Sequence, residues 1–132
     1  MSPRTIAPLR IALTALLLAL ATQVCAAAQA RPMAVLFSAP WCYNCKLIKP
    51  KLKTVEAEFG AQIDFIVLDF ADDASRSAAE SVARERGFLP LFAANRATGW
   101  VALLDRDGHQ VGELKQDMTV EEMQARLQTL LR

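Results

Sequence analysis

Histidine occurs once in this chain, tyrosine once, and cysteine three times among 132 residues. A structural zinc site needs four ligands, normally two CxxC pairs or one pair with spaced histidines. One pair, Cys42 and Cys45, with a lone His109 in a turn sequence does not make that pattern. Net charge is nearly absent too, with 15 Lys and Arg against 14 Asp and Glu giving +1. That balance offers no electrostatic case for nucleic acid. No long-period repeat occurs, which excludes solenoids and propellers, and no low-complexity tract occurs either. Apolar residues make up 53% and charged residues 22%, which excludes a disordered or collagen-like chain. The length suits one domain.

The chain is uneven at its start. Arg4 and Arg10 precede an apolar run from Ile11 to Ala21, and a small-residue stretch, CAAAQA, ends at Ala30. Charged head, apolar middle and A-x-A tail read as a secretory signal peptide over residues 1–30. Left uncleaved, the same segment is an N-terminal membrane anchor. Gln23 and Val24 are poor neighbours for lipoprotein processing at Cys25. Cleavage removes two arginines, no acids and Cys25, leaving a mature chain, residues 31–132, of charge about −1 with two cysteines. Export places that pair in a compartment such as the periplasm, where disulfides persist.

The mature chain alternates strand and helix. Met33 to Ser38 is continuously apolar, as in a strand buried on both faces. From Cys42 onward, Ile48, Leu52, Val55 and Phe59 recur at helical spacing, Pro50 should kink the helix, and Gly60 is placed to end it. Ile63 to Phe70 is a second strand, so the first unit is βαβ with parallel strands. Ser75 to Arg86 is a second helix with Ala78, Ala79, Val82 and Ala83 inward. Trp100–Leu104 and Val111–Lys115 flank a DRDG turn as a hairpin. Thr119 and Glu122 form a capping box for a last helix with Val120, Met123, Leu127, Leu130 and Leu131 inward.

The motif SAPWCYNCKLIKP (Ser38–Pro50) carries the chemistry. A CxxC pair can clamp a metal, form an inert bridge, or exchange disulfides. Metal lacks further ligands, and a bridge closing so short a loop gives the least stabilisation. Exchange fits the position. Cys42 falls at a helix start, where orphan N–H groups and the dipole favour a thiolate. Cys45, one turn in, is shielded and can attack a mixed disulfide once formed.

LFSAPWCYNCKLIKP resembles the thioredoxin family, through Phe37, Ala39, Trp41, Cys42, Cys45, Lys46 and Pro50. CxxC near a βαβ pattern is itself a recognised thioredoxin-like signature. The resemblance implies a thioredoxin-like α/β fold. A short central mixed sheet, a parallel βαβ followed by an antiparallel hairpin, is flanked by helices and lacks the family's first strand and helix. It implies a thiol–disulfide oxidoreductase with no metal or organic cofactor, acting on protein thiols and disulfides. The redox partner is unidentified, soluble or membrane-bound, and the chain is expected to be a monomer.

Three departures from the family follow. Its cis-proline beside the cysteines is replaced. Counting back from Gly108, the place falls on Gly99, with Thr98 before it; under another alignment it is Pro90. If Gly99 stands there, Gly99→Pro should be tolerated. The family's buried acid before the first cysteine is Leu36 here, and Asp69 is a weak substitute proton acceptor. Leu89–Ala97 looks inserted, with Pro90 starting and Asn95 ending a helical turn that packs on the core or contacts a partner. Trp41, Tyr43, Asn44, Thr98 and Gly99 are the expected substrate contacts. No histidine stands inside the motif, which favours a reductant over a strong oxidant. The alternative is a thioredoxin-fold binding protein with a structural or vestigial CxxC.

Overall fold

The computed structural model describes residues 30–132. The expected signal segment falls outside the described residues up to residue 29, as does any strand and helix ahead of the first strand.

The apolar run becomes β1 (Met33–Ser38), buried at all six positions. It pairs in parallel with β2 (Asp64–Asp69) and antiparallel with β3 (Trp100–Leu104), which in turn pairs antiparallel with β4 (Gln110–Lys115). The sheet order is β2-β1-β3-β4. β1 is therefore central, which is why it carries no polar alternation.

Side-chain alternation along β1 divides the core in two. Ala34 and Leu36 face α1 (Tyr43–Phe59) and α4 (Val120–Leu130), packing with Ile48, Leu52, Val55, Phe59, Met123 and Leu127. Met33, Val35 and Phe37 face the opposite layer, α2 (Asp73–Glu85) and α3 (Leu89–Ala94). That second layer is aromatic: Phe37 stacks on Trp100 at 5.1 Å, and Phe70 meets Phe37 and Phe92 edge-on at 5.8 and 5.6 Å. The parallel and antiparallel pairings and the flanking helices are those expected from the sequence.

Boundaries differ where local capping decides them. α2 begins two residues early because the Asp72 carboxylate accepts the Ser75 N–H at 2.7 Å. Ala78, expected inward, is exposed, and Ala79 and Ala83 carry the buried stripe. β4 starts one residue early, with a register irregularity opposite Leu103 and Leu104. α1 runs through Pro50 to Phe59. Thr119 and Glu122 form the capping box, with N–H···O distances of 2.7 and 3.2 Å. Lys51 ties α1 to the turn before α4 by donating to the carbonyls of Gln116 and Met118 at 2.7 and 2.8 Å. Among the described residues no helix is long and apolar enough to cross a membrane.

Candidate active site

The C-terminal end of β1 aims the chain at the start of α1. Between them, the Cys42 N–H closes a turn on the Ala39 carbonyl at 3.1 Å. Cys42 then stands at the helix N-cap in an extended conformation. Its Sγ accepts the Cys45 N–H at 3.1 Å. A cap position usually held by a hydroxyl or carboxylate is thus held by sulfur, with one of the helix's orphan donors pointed at it. The same donor and the helix dipole stabilise a thiolate there.

The two sulfurs have unequal surroundings. Cys42 and Cys45 are bonded to each other, with Cα atoms 5.3 Å apart. Cys42 is 7% exposed and Cys45 1%. The Cys45 Sγ lies 3.7 Å from the Phe37 carbonyl oxygen. That carbonyl also accepts the Gly99 N–H at 2.8 Å. One main-chain oxygen of β1 thus joins the inner sulfur to the loop before β3.

Gly99 lies directly against the site. Its φ is +87°, and a Cβ built on it would stand 3.0 Å from Cys42 Sγ and 2.5 Å from Asn44 Cβ. The peptide bonds of the described residues are all trans. The expectation that proline could replace Gly99 therefore fails, because proline needs φ near −65° and brings a Cβ into this contact. Pro90 is placed elsewhere, in the first turn of α3.

The other expected contacts divide. Trp41 and Tyr43 are exposed at 67% and 70%, so Trp41 is not a packing residue. Asn44 is exposed with its Cβ against Gly99, and Thr98 is half-buried beside it. Leu47, four residues after Tyr43, is exposed at 41% and extends the apolar rim. Sequence reading missed Leu47, although its position off the Ile48–Leu52 stripe is the signal for it. It also missed the Phe37 carbonyl, a main-chain group that leaves no residue-type signature.

Leu36 is buried on the α1 face. Ser38 is the one buried polar side chain among the described residues. Asp69 is exposed and its carboxylate accepts the Ala71 N–H at 3.0 Å.

The family profile described as Thioredoxin matches residues 20–102, from ahead of β1 into β3. The chain belongs to the thioredoxin family. The CxxC pair, Cys42 and Cys45, lies within the matched residues. Among solved structures, it is similar to MTB dsbF in its mixed oxidized and reduced forms, with TM-score 0.53 and 18% identity over 76% of this chain and 81% of that one. It is similar to a secreted Mycobacterium tuberculosis disulfide oxidoreductase homologous to E. coli DsbE, with TM-score 0.53 and 19% identity over 77% and 84%. A malarial protein matches with TM-score 0.52 and 17% identity over 77% of this chain and 99% of that one. Identities this low speak to the fold. Comparison with curated proteins gives no match.

Proposed function

We propose that the protein is an exported thiol–disulfide oxidoreductase that acts on protein partners, as a reductant. Cys42 is the nucleophile. Its thiolate attacks one sulfur of a partner disulfide, forming a Cys42–partner bond while the partner's other sulfur leaves and takes a proton. Cys45 then gives up its proton and attacks Cys42 Sγ. The partner leaves as a dithiol, and Cys42 and Cys45 are left oxidised by two electrons.

The observation that carries this reading is the N-cap sulfur. Cys42 Sγ has a helix N–H on it and an apolar rim of Trp41 and Tyr43 around it, whereas Cys45 is closed off. A partner chain would lie along Thr98 and Gly99. No histidine or cation stands between the cysteines in sequence, so only the helix start favours the Cys42 anion, which suits a reductant better than a strong oxidant. Export rests on Arg4, Arg10, the apolar run and the A-x-A sites.

Two measurements test the reading. Cys45→Ser, expressed with its leader, should trap partners as mixed disulfides that run as adducts on non-reducing gels, while Cys42→Ser traps few. Equal trapping reverses the assigned roles; none by either leaves only a binding module with a vestigial CxxC. Equilibration with glutathione should give a potential below about −220 mV, whereas one near −120 mV would make the protein an oxidant.

A further inference from the structure

Disulfide exchange itself does not account for the segment Leu89–Ala97, and two arginines are anchored on it. Arg76, from α2, lays its guanidinium over Phe70 at 4.6 Å and over Phe92 of α3 at 5.3 Å. Arg96, just past α3, donates from Nη1 to the carbonyls of Ala93 and Asn95 at 3.1 and 3.5 Å. Neither forms an ion pair with a carboxylate among the described residues. Glu80, one turn after Arg76, is taken by Arg84. Asp69 and Asp72 each give an oxygen to a nearby main-chain N–H, of Ala71 and Ser75.

Both arginines stand on segments that are linked to the surroundings of Cys42. The Phe70 N–H bonds the Ser38 carbonyl at 2.8 Å, four residues before Cys42. Past Arg96 the loop is closed by Asn95, which donates to Ala97 O at 2.8 Å and accepts the Ala97 N–H at 3.1 Å. Two residues later Gly99 lies against Cys42. A guanidinium without a carboxylate keeps its two-pronged donor face for one. Stacking on Phe70 and Phe92 holds the Arg76 face in place before a partner arrives, and the Ala93 and Asn95 carbonyls hold Arg96, so less freedom is lost on docking.

We propose that Arg76 and Arg96 form a basic shoulder beside Cys42 that docks an acidic stretch next to the exchanging cysteine of a protein partner. This rests on the exchange reading above and names the kind of partner it serves. The apolar rim of Trp41, Tyr43 and Leu47 then takes the uncharged part of the partner, and the α3 segment takes its acids.

The test uses two disulfide peptides, identical except for Asp or Ser on either side of the cysteines. The wild-type mature protein is compared with Arg76→Met, Arg96→Gln and the double variant. Arg76→Met keeps an apolar chain on the rings, and Arg96 is on an exposed loop. The acidic peptide should exchange about fivefold faster in kcat/KM at low salt, a preference of the size two partly screened charges give. The double variant, or 0.5 M salt, should bring the ratio to about one. Arg76→Lys should restore part of it. Equal wild-type rates for the two peptides overturn the proposal, as does a preference that survives in the double variant. An equal fall on both peptides means the arginines only pack. An equal loss with glutathione disulfide assigns them to a small thiol instead. Acidic and neutral analogues with serine for cysteine, followed by fluorescence anisotropy, separate docking from chemistry. Selective binding of the acidic analogue without any exchange leaves the shoulder standing and removes the exchange reading.

Discussion

Alanine at Gly99 should cost far more than alanine at Gly87, although the two glycines have nearly the same backbone. Their φ values are +87° and +82°. An L-residue at such an angle costs roughly 1–2 kcal/mol. Part of that is returned, about 0.4–1 kcal/mol, because alanine restricts the unfolded chain. At Gly87 nothing lies within 4 Å of the added Cβ, so the net loss should be about 1 kcal/mol or less. At Gly99 the Cβ meets Asn44 Cβ at 2.5 Å and Cys42 Sγ at 3.0 Å. Both neighbours are fixed at the start of α1, so the strain of an overpacked site adds about 1–3 kcal/mol. The total is about 1–4 kcal/mol for Gly99→Ala. In a domain of about this size, each kcal/mol moves the melting temperature about 4–8 °C, so a fall of roughly 5–30 °C is expected. Thermal and urea unfolding of the oxidised mature protein measures both variants. Alkylation of reduced Cys42 should also change in Gly99→Ala and not in Gly87→Ala. If Gly99→Ala is no more destabilising than Gly87→Ala, the contact with Cys42 and Asn44 is not what this geometry says it is.

Ile48 is fully buried between α1 and the sheet, so Ile48→Ala should cost about 2–5 kcal/mol by urea unfolding and leave the Cys42 position unchanged. A loss below about 1 kcal/mol would mean that the layer collapses around the gap. The Asp72 carboxyl is held below its ordinary range chiefly by the Ser75 N–H it accepts. Its folded value is depressed, so its stabilisation is present above the unfolded aspartate range and is lost as pH falls through the folded value. Asp72→Ala should therefore unfold at lower urea than the wild type at neutral pH. The two midpoints should converge in strong acid, and a constant gap would contradict the cap.

The sheet was legible because β1 has no polar residue until Ser38, and only a central strand tolerates that. α1 and α4 were legible because one apolar stripe each, Ile48 to Phe59 and Met123 to Leu127, outweighs the interior proline in α1. Less was legible in α2, where small alanines fill the inward face. With Ala78 and Ala79 adjacent, periodicity cannot say which one faces the core, and the Asp72 cap decides the phase. Gly99 was legible as a position by counting from the hairpin, and illegible as a conformation. Its sequence neighbours do not show that Asn44 and Cys42 crowd it from another element. Arg76 escaped for the same reason, since its rings come from β2's end and from α3.

The difference between the two cysteines is a property of the joint between β1 and α1 more than of the motif. A CxxC pair in mid-helix would place both sulfurs one turn apart with their N–H groups already bonded. Here the helix begins at the first cysteine, so the Cys45 N–H is free to point at Cys42 Sγ. The second sulfur is carried inward beneath the last carbonyls of β1, where Phe37 O is shared between it and Gly99. Leu36 is apolar and Asp69 is turned to Ala71, so no carboxylate among the buried residues waits for the Cys45 proton. The proton must leave by water or by the partner's departing sulfur. In the proposed exchange, the second half therefore depends on how the partner is seated, and the residues proposed to seat it are those at Gly99, the apolar rim and the two arginines.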